Sequence, residues 1–107
     1  MATYTVHDRG RLGKESRPYT FTGTLEVLHT SDNRIQREHV AVYRRDDGQY
    51  VVEFKTQGLL QGDLVGDSYA IVAPEDLRRV IVGGCSEPQA RTVARQLGFE
   101  IAEGRRR

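Results

Sequence analysis

Few residues of this chain have the type and spacing that metal binding requires. The three histidines, His7, His29 and His39, are far apart along the chain, and there is one cysteine, Cys85. A zinc site usually draws ligands from close local pairs such as Cys-x-x-Cys or His-x-x-x-His, and neither pair occurs. The sequence therefore predicts no metal site and no bound cofactor.

Cys85 is the one candidate nucleophile, because it follows two glycines and precedes a predicted helix. A thiol at a helix N-terminus can have a lowered pKa and become reactive. Catalysis would also need a base, and the histidines lie in distant segments. The chain also lacks a Gly-x-Ser-x-Gly elbow and a Gly-x-x-x-x-Gly-Lys phosphate loop. We therefore expect a protein that is not an enzyme.

Arginine carries most of the positive charge, with fourteen arginines and two lysines. This usage is typical of GC-rich genomes, and it also suits ion pairs, phosphate contacts and interfaces. A candidate nucleic-acid patch combines the loop at 8–18 with the last predicted helix: Arg9, Arg11, Lys14, Arg17, Arg91 and Arg95. The formal net charge of +1 is far below that of a strongly basic nucleic-acid module. Nucleic-acid binding is therefore the alternative function and not the first one.

Length and composition indicate one small domain. The chain has 107 residues, which fits a single domain at 1–104 followed by a basic tail at 105–107. No apolar run approaches the 18 or so residues of a membrane span, and the first residues lack the apolar region of a secretory signal. One cysteine cannot form an intramolecular disulfide. These features predict a cytoplasmic protein without membrane partners.

The clearest strand signal is a hairpin around Asp46-Asp47-Gly48. A two-residue turn at 47–48 would pair Ala41 with Phe54. A three-residue loop would instead pair Val42 with Val52 and Val40 with Phe54. We favour the second register because it collects the apolar side chains on one face.

An earlier strand is predicted from Tyr19 to His29, because Thr and aromatic residues alternate there. Its apolar positions, Tyr19, Phe21, Leu25 and Val27, fall on one side at period two. Gly23 in its middle indicates a bulge or a close backbone approach. A further short strand is predicted at 68–72.

Two helices are predicted after the strands. The first begins near Pro74 and stops at Gly83-Gly84. The second begins at a capping box formed by Ser86 and Gln89, and its apolar stripe is Ala90, Val93, Ala94 and Leu97. Gly98 is the predicted left-handed C′ residue, with Phe99 folding back onto the helix.

Strands followed by helices predict an α+β fold, with an antiparallel sheet of four to six strands and two C-terminal helices on one face. Such helices leave the second sheet face uncovered. In the favoured register Tyr43 and Val51 lie on that second face, which a helix or another chain would have to cover. These two residues are therefore the candidate protein interface.

Several short segments resemble the EXLDI family of small bacterial proteins. They are Phe21-Thr22-Gly23, Val42-Tyr43-Arg44-Arg45, Gly48-Gln49-Tyr50-Val51-Val52, Glu75-Asp76-Leu77-Arg78 and Val93-Ala94-Arg95-Gln96-Leu97-Gly98. The resemblance spans residues 19–101. The carboxy-terminal Glu-x-Leu-Asp-Ile of that family is replaced here by Phe99-Glu100-Ile101-Ala102-Glu103. The resemblance implies no activity, cofactor or site residue.

The sequence as a whole predicts a small non-catalytic binding protein that acts through protein–protein contacts. It would act as a homo-oligomer or as a subunit of a larger assembly. The alternative is a nucleic-acid-associated regulatory protein that uses the arginine-rich patch.

Overall fold

The computed structural model describes residues 1–8, 17–32, 36–58 and 65–99, and the fold is given for those residues. The strands are β1 (Ala2–Asp8), β2 (Arg17–Asp32), β3 (Gln36–Arg45), β4 (Tyr50–Gly58) and β5 (Val65–Val72). A 3-10 turn (Pro74–Asp76) leads into helix α1 (Leu77–Gly84), and helix α2 (Glu87–Leu97) follows. Each strand pairs antiparallel with the next in the order β1-β2-β3-β4-β5. The predicted α+β class is confirmed.

The turn between β3 and β4 has the predicted three-residue loop. Val42 pairs with Val52, and Val40 pairs with Phe54. Gly48 has a φ of +90°, and its N–H donates to the carbonyl oxygen of Arg45 over 3.0 Å. A glycine is favoured here because side chains rarely adopt that backbone conformation.

Both helices pack on one face of the sheet, which we call the helix face. Its core is aliphatic and joins strand valines to the helices: Val27, Val40, Val42, Val52, Val72, Leu77, Ile81, Ala90 and Val93. Strand alternation places every second residue of β3 and β4 on this side. Together these residues form the larger of the two cores.

Strand β2 pairs with different strands along its two halves. Its first half, Arg17–Gly23, pairs with β1, and its second half pairs with β3. The predicted close approach at Gly23 is confirmed, because a Cβ there would overlap the carbonyl oxygen of Arg44. The ladder then shifts register between Leu25 and Val27. The predicted single apolar face of β2 is therefore wrong: Val27 lies in the helix-face core, whereas Leu25 is 38% exposed.

The opposite sheet face is covered by β1 and the first half of β2, which we call the β1–β2 arm. β1 contacts β5, although their backbones do not pair. The core under the arm is aromatic, with buried Val6, Phe21 and Val51 surrounded by Tyr4, Tyr19, Tyr43 and Tyr69. We call this side the arm face. No sequence pattern predicts β1, and for that reason the second sheet face is expected to be open.

The predicted capping box of α2 does not form. Ser86 is the N-cap residue, but its Oγ donates to Oε1 of Glu38 over 3.1 Å and makes no side-chain cap. Gln89 is buried and donates from Nε2 to the carbonyl oxygens of His29 and Glu38, each over 3.2 Å. Both side chains therefore hold the start of α2 against the sheet.

The end of α2 is as predicted. Gly98 has a φ of +92°, and the N–H of Phe99 donates to the carbonyl oxygen of Ala94 over 3.0 Å. Phe99 then folds back onto the helix-face core. These bonds satisfy carbonyl groups that the last turn of the helix leaves without an intrahelical partner.

Candidate protein-interaction edge

The structure buries Val51 completely and Tyr43 in part, whereas the sequence predicted both on an uncovered face. Val51 is 0% exposed under the β1–β2 arm. Tyr43 is half-buried, and its ring lies 4.6 Å from that of Tyr4 between centroids. The candidate interface is corrected accordingly, because this chain's own arm covers these residues.

The arm face also contains a buried carboxylate, Glu53. The Tyr43 hydroxyl and the backbone N–H of His7 lie near this carboxylate and interact with it. Burial raises the pKa of Glu53, and burial together with the Glu53 charge raises the pKa of Tyr43 to about 12. Glu53 therefore favours its neutral form more strongly than an exposed glutamate would.

Cys85 does not have the environment of a reactive thiol. Its Sγ donates to the carbonyl oxygen of Ile81 over 3.3 Å, and it packs against the helix-face core. Burial, and to a smaller extent the charge of Glu38, raises the pKa of Cys85 to about 11. The side chain is therefore a protonated thiol at neutral pH, which makes it a poor nucleophile.

The structure describes only part of the predicted basic patch. Arg9, Arg11, Lys14 and the side chain of Arg17 lie outside the described residues. Arg91 is half-buried, and its Nη2 pairs with Oε2 of Glu87 at 3.3 Å. Arg95 is exposed near the end of α2. The structure therefore does not show these six residues as one surface.

The second half of β2 has a free backbone edge within the described part of the chain. β1 begins opposite Gly23, so Thr24–Asp32 pairs with β3 on one side and with no described strand on the other. We call this segment the β2 edge. It exposes Leu28 by 61% and Leu25 by 38%. A free edge beside exposed leucines is a common place for another chain to pair.

The contacts of Gln89 show which backbone groups point outward along the β2 edge. Its Nε2 reaches both His29 on β2 and Glu38 on β3, so the His29 carbonyl is directed toward β3. Successive residues of a strand direct their backbone groups to opposite sides. The N–H and C=O groups of Leu28 and Thr30 therefore point toward the free edge.

The charges along the β2 edge are already paired within this chain. Glu26 lies 3.5 Å from Nη2 of Arg44, and Asp32 accepts from Nε of Arg37 over 2.8 Å. Both arginines are on β3. Each exposed pair contributes little to stability, but together they leave the edge close to neutral.

A second exposed apolar site lies on the outer side of α1. An open groove of about 820 Å³ is lined by Pro74, Glu75, Leu77, Arg78, Arg79, Val82, Gly83 and Phe99. The Arg78 guanidinium lies over the Phe99 ring at 5.2 Å from its centroid, and Val82 is 47% exposed. This groove has no free backbone edge, so it lacks the hydrogen-bonding template of the β2 edge.

Sequence reasoning missed the β2 edge, although Leu28 carried a signal. It lies next to buried Val27, on a strand whose other exposed positions are mostly Thr and acidic residues. An exposed leucine in that position is conspicuous only once the first residue of β1 is known to lie opposite Gly23.

The comparisons identify no relative of this chain. No protein-family model, curated protein or solved structure matches it. Within the described ranges, no helix is long and apolar enough to cross a membrane. The same ranges contain no cluster of three or more His, Cys, Asp or Glu side chains suited to a metal ion.

Proposed function

We propose that this protein is a small non-catalytic binding domain that acts through protein–protein contacts at the β2 edge. The observation that carries the proposal is the backbone of residues 24–32, which has no described strand on its outer side and lies beside exposed Leu28. Added strands gain main-chain hydrogen bonds, and alternate side chains supply specificity. The edge therefore offers a partner both a directional contact and an apolar contact.

Among the described strands, β1 and β5 also lack a backbone partner on their outer sides, but they lie against each other, whereas the β2 edge has no described strand beside it. The helices cover the helix face, and the arm covers the part of the arm face around Val51. The Cys85 thiol is protonated at neutral pH, so it gives no support to a catalytic function. We propose that the protein functions as a homo-oligomer or as a subunit of an assembly.

The test compares two single substitutions of exposed apolar residues. Leu28→Lys places a charge on the β2 edge, and Val82→Lys places the same charge in the α1 groove. We expect Leu28→Lys to remove the contact, either with itself or with a partner protein, and Val82→Lys to retain it. Light scattering measures self-association, and affinity capture with purified protein measures a partner.

Two results would overturn the proposal. One is equal behaviour of the wild type and Leu28→Lys in both assays, with circular dichroism showing that both are folded. The other is a complex with generic DNA that weakens steeply with salt and does not depend on Leu28. That second result would support the alternative, a nucleic-acid-associated protein that uses the six-residue basic patch.

A further inference from the structure

We propose that the occupant of the β2 edge is a second copy of this chain, paired antiparallel about a two-fold axis at Leu28. This inference rests on the proposed function and names its partner. It would join two five-stranded sheets into one continuous sheet of ten strands. The two copies would contribute the same surface, as in most symmetric dimers.

The direction of the backbone groups sets the centre of the pairing. The N–H and C=O groups of Leu28 point toward the free edge, as the contacts of Gln89 show. Two Leu28 residues placed opposite each other can therefore exchange two hydrogen bonds. Centring the axis one residue away, at His29, would bring together backbone groups that are directed toward β3.

The side chains of the β2 edge are also compatible with a two-fold axis at Leu28. The two Leu28 side chains, each 61% exposed, would lie against each other on the arm-face side of the sheet. In this register Thr30 faces Glu26 of the second copy, and the regular pairing ends there because β2 shifts register between Leu25 and Val27. Like charges directly opposite each other would destabilise the pairing. This register places no two like charges opposite each other.

Charge also favours a second copy over a strongly charged partner. Glu26 and Asp32 are each paired with an arginine of their own chain. The edge therefore offers no net charge to attract an oppositely charged chain. The formal net charge of the whole protein is +1, so repulsion between two copies is small.

Cysteine cross-linking tests the axis directly. In a Cys85→Ser background, we compare Leu28→Cys with Val82→Cys, which lies outside the edge. Paired residues of this kind have Cα atoms about 5.5 Å apart, within the range that a disulfide spans. We expect diamide to link Leu28→Cys rapidly into a dimer and to leave Val82→Cys mostly monomeric.

The mass in solution and a proline variant provide the second measurement. We expect light scattering on the wild type to reach twice 12.1 kDa as concentration rises. Thr30→Pro removes an N–H that points away from β3, so it should abolish the dimer and keep the circular dichroism spectrum.

The outcomes separate this inference from the proposed function. A monomeric wild type at all concentrations, with equal cross-linking of both cysteine variants, overturns self-pairing. If such a monomer still captures another protein in a Leu28-dependent manner, the proposed function stands and its partner is different. If no Leu28-dependent contact of either kind is found, both proposals fail.

Discussion

The helix face and the arm face of the sheet are both buried, but by side chains of different shape and polarity. The buried residues of the helix-face core are all aliphatic, with aromatic rings packed around them: Tyr50, Phe54 and Phe99. The arm face is filled mainly by aromatic rings, with Tyr19 and Tyr69 stacked at 5.6 Å between centroids. The arm face also encloses the carboxylate of Glu53, which is 6% exposed.

This difference follows from what covers each face. Two helices present continuous apolar stripes, so aliphatic side chains can interdigitate closely on the helix face. The arm presents only alternate residues of two strands, and its aromatic rings pack against one another on that face. The arm also brings the backbone N–H of His7 and the Tyr43 hydroxyl within reach of Glu53. Both faces therefore enclose a polar group, which is the neutral amide of Gln89 on the helix face and the ionisable carboxylate of Glu53 on the arm face.

The largest expected effect contrasts truncations in the two cores. Ile81 and Val6 are both 0% exposed, one on the helix face and one on the arm face. We expect Ile81→Ala to lower the free energy of unfolding by about 4 kcal/mol, because it leaves a cavity under both helices. Val6→Ala removes less apolar volume and should cost about 2 kcal/mol. Urea denaturation measures both values.

Hydrogen exchange shows whether the two cores open separately. We expect Val6→Ala to speed exchange mainly in β1, with little change in α2. Ile81→Ala should speed exchange in both helices. Identical exchange patterns for the two variants would show that the faces unfold together and would remove the contrast.

A smaller effect tests how closely the helix face is packed. Adjacent glycines at the end of α1 differ in their surroundings: a Cβ at Gly84 would overlap the Phe54 ring, and a Cβ at Gly83 meets open space. We expect Gly84→Ala to destabilise the protein by about 1–3 kcal/mol through overpacking. Gly83→Ala should stabilise it by about 0.5–1 kcal/mol through helix propensity. Thermal unfolding of the pair measures both, and shifts of the same sign would contradict the model of tight packing.

The smallest effect tests the polar part of the arm face. Burial raises the pKa of Glu53 above its ordinary value of 4.5, so the native protein holds this proton more tightly than the unfolded chain does. This contribution to stability is fully present below pH 4.5 and is lost as pH rises through the raised pKa. We expect Glu53→Gln to abolish that loss of stability. The measurement is the urea midpoint from pH 4 to pH 8.

A matched control removes a glutamate without removing the buried one. Glu75 is exposed at the start of the 3-10 turn. We expect Glu75→Gln to keep the wild-type pH dependence. If Glu53→Gln also keeps it, burial of this carboxylate does not govern the pH response.

Much of the helix face was predictable because local patterns determine it. The hairpin register followed from the richer apolar face and from Gly48, and both are confirmed. The end of α2 was predictable from Gly98 and Phe99, which are adjacent in the sequence. In each case the residues that decide the structure are close together in the chain.

The arm face was not predictable from local patterns. β1 was missed, and the register shift after Leu25 reversed the side on which Val27 lies. Ser86 and Gln89 fit a capping box by spacing, but contacts with β2 and β3 replace that local arrangement. The β2 edge was missed because its existence depends on where β1 begins.

The dual pairing of β2 has a consequence for the path of folding. Each strand pairs with the strand next to it in the chain, so the sheet can grow by closing short loops, a pattern that favours fast folding. Contacts under the arm join residues as distant as Val6 and Val51, and closing such long loops costs more chain entropy. The arm contacts would therefore form late in folding. Their strength would govern how slowly the native protein unfolds and have less influence on how fast it folds.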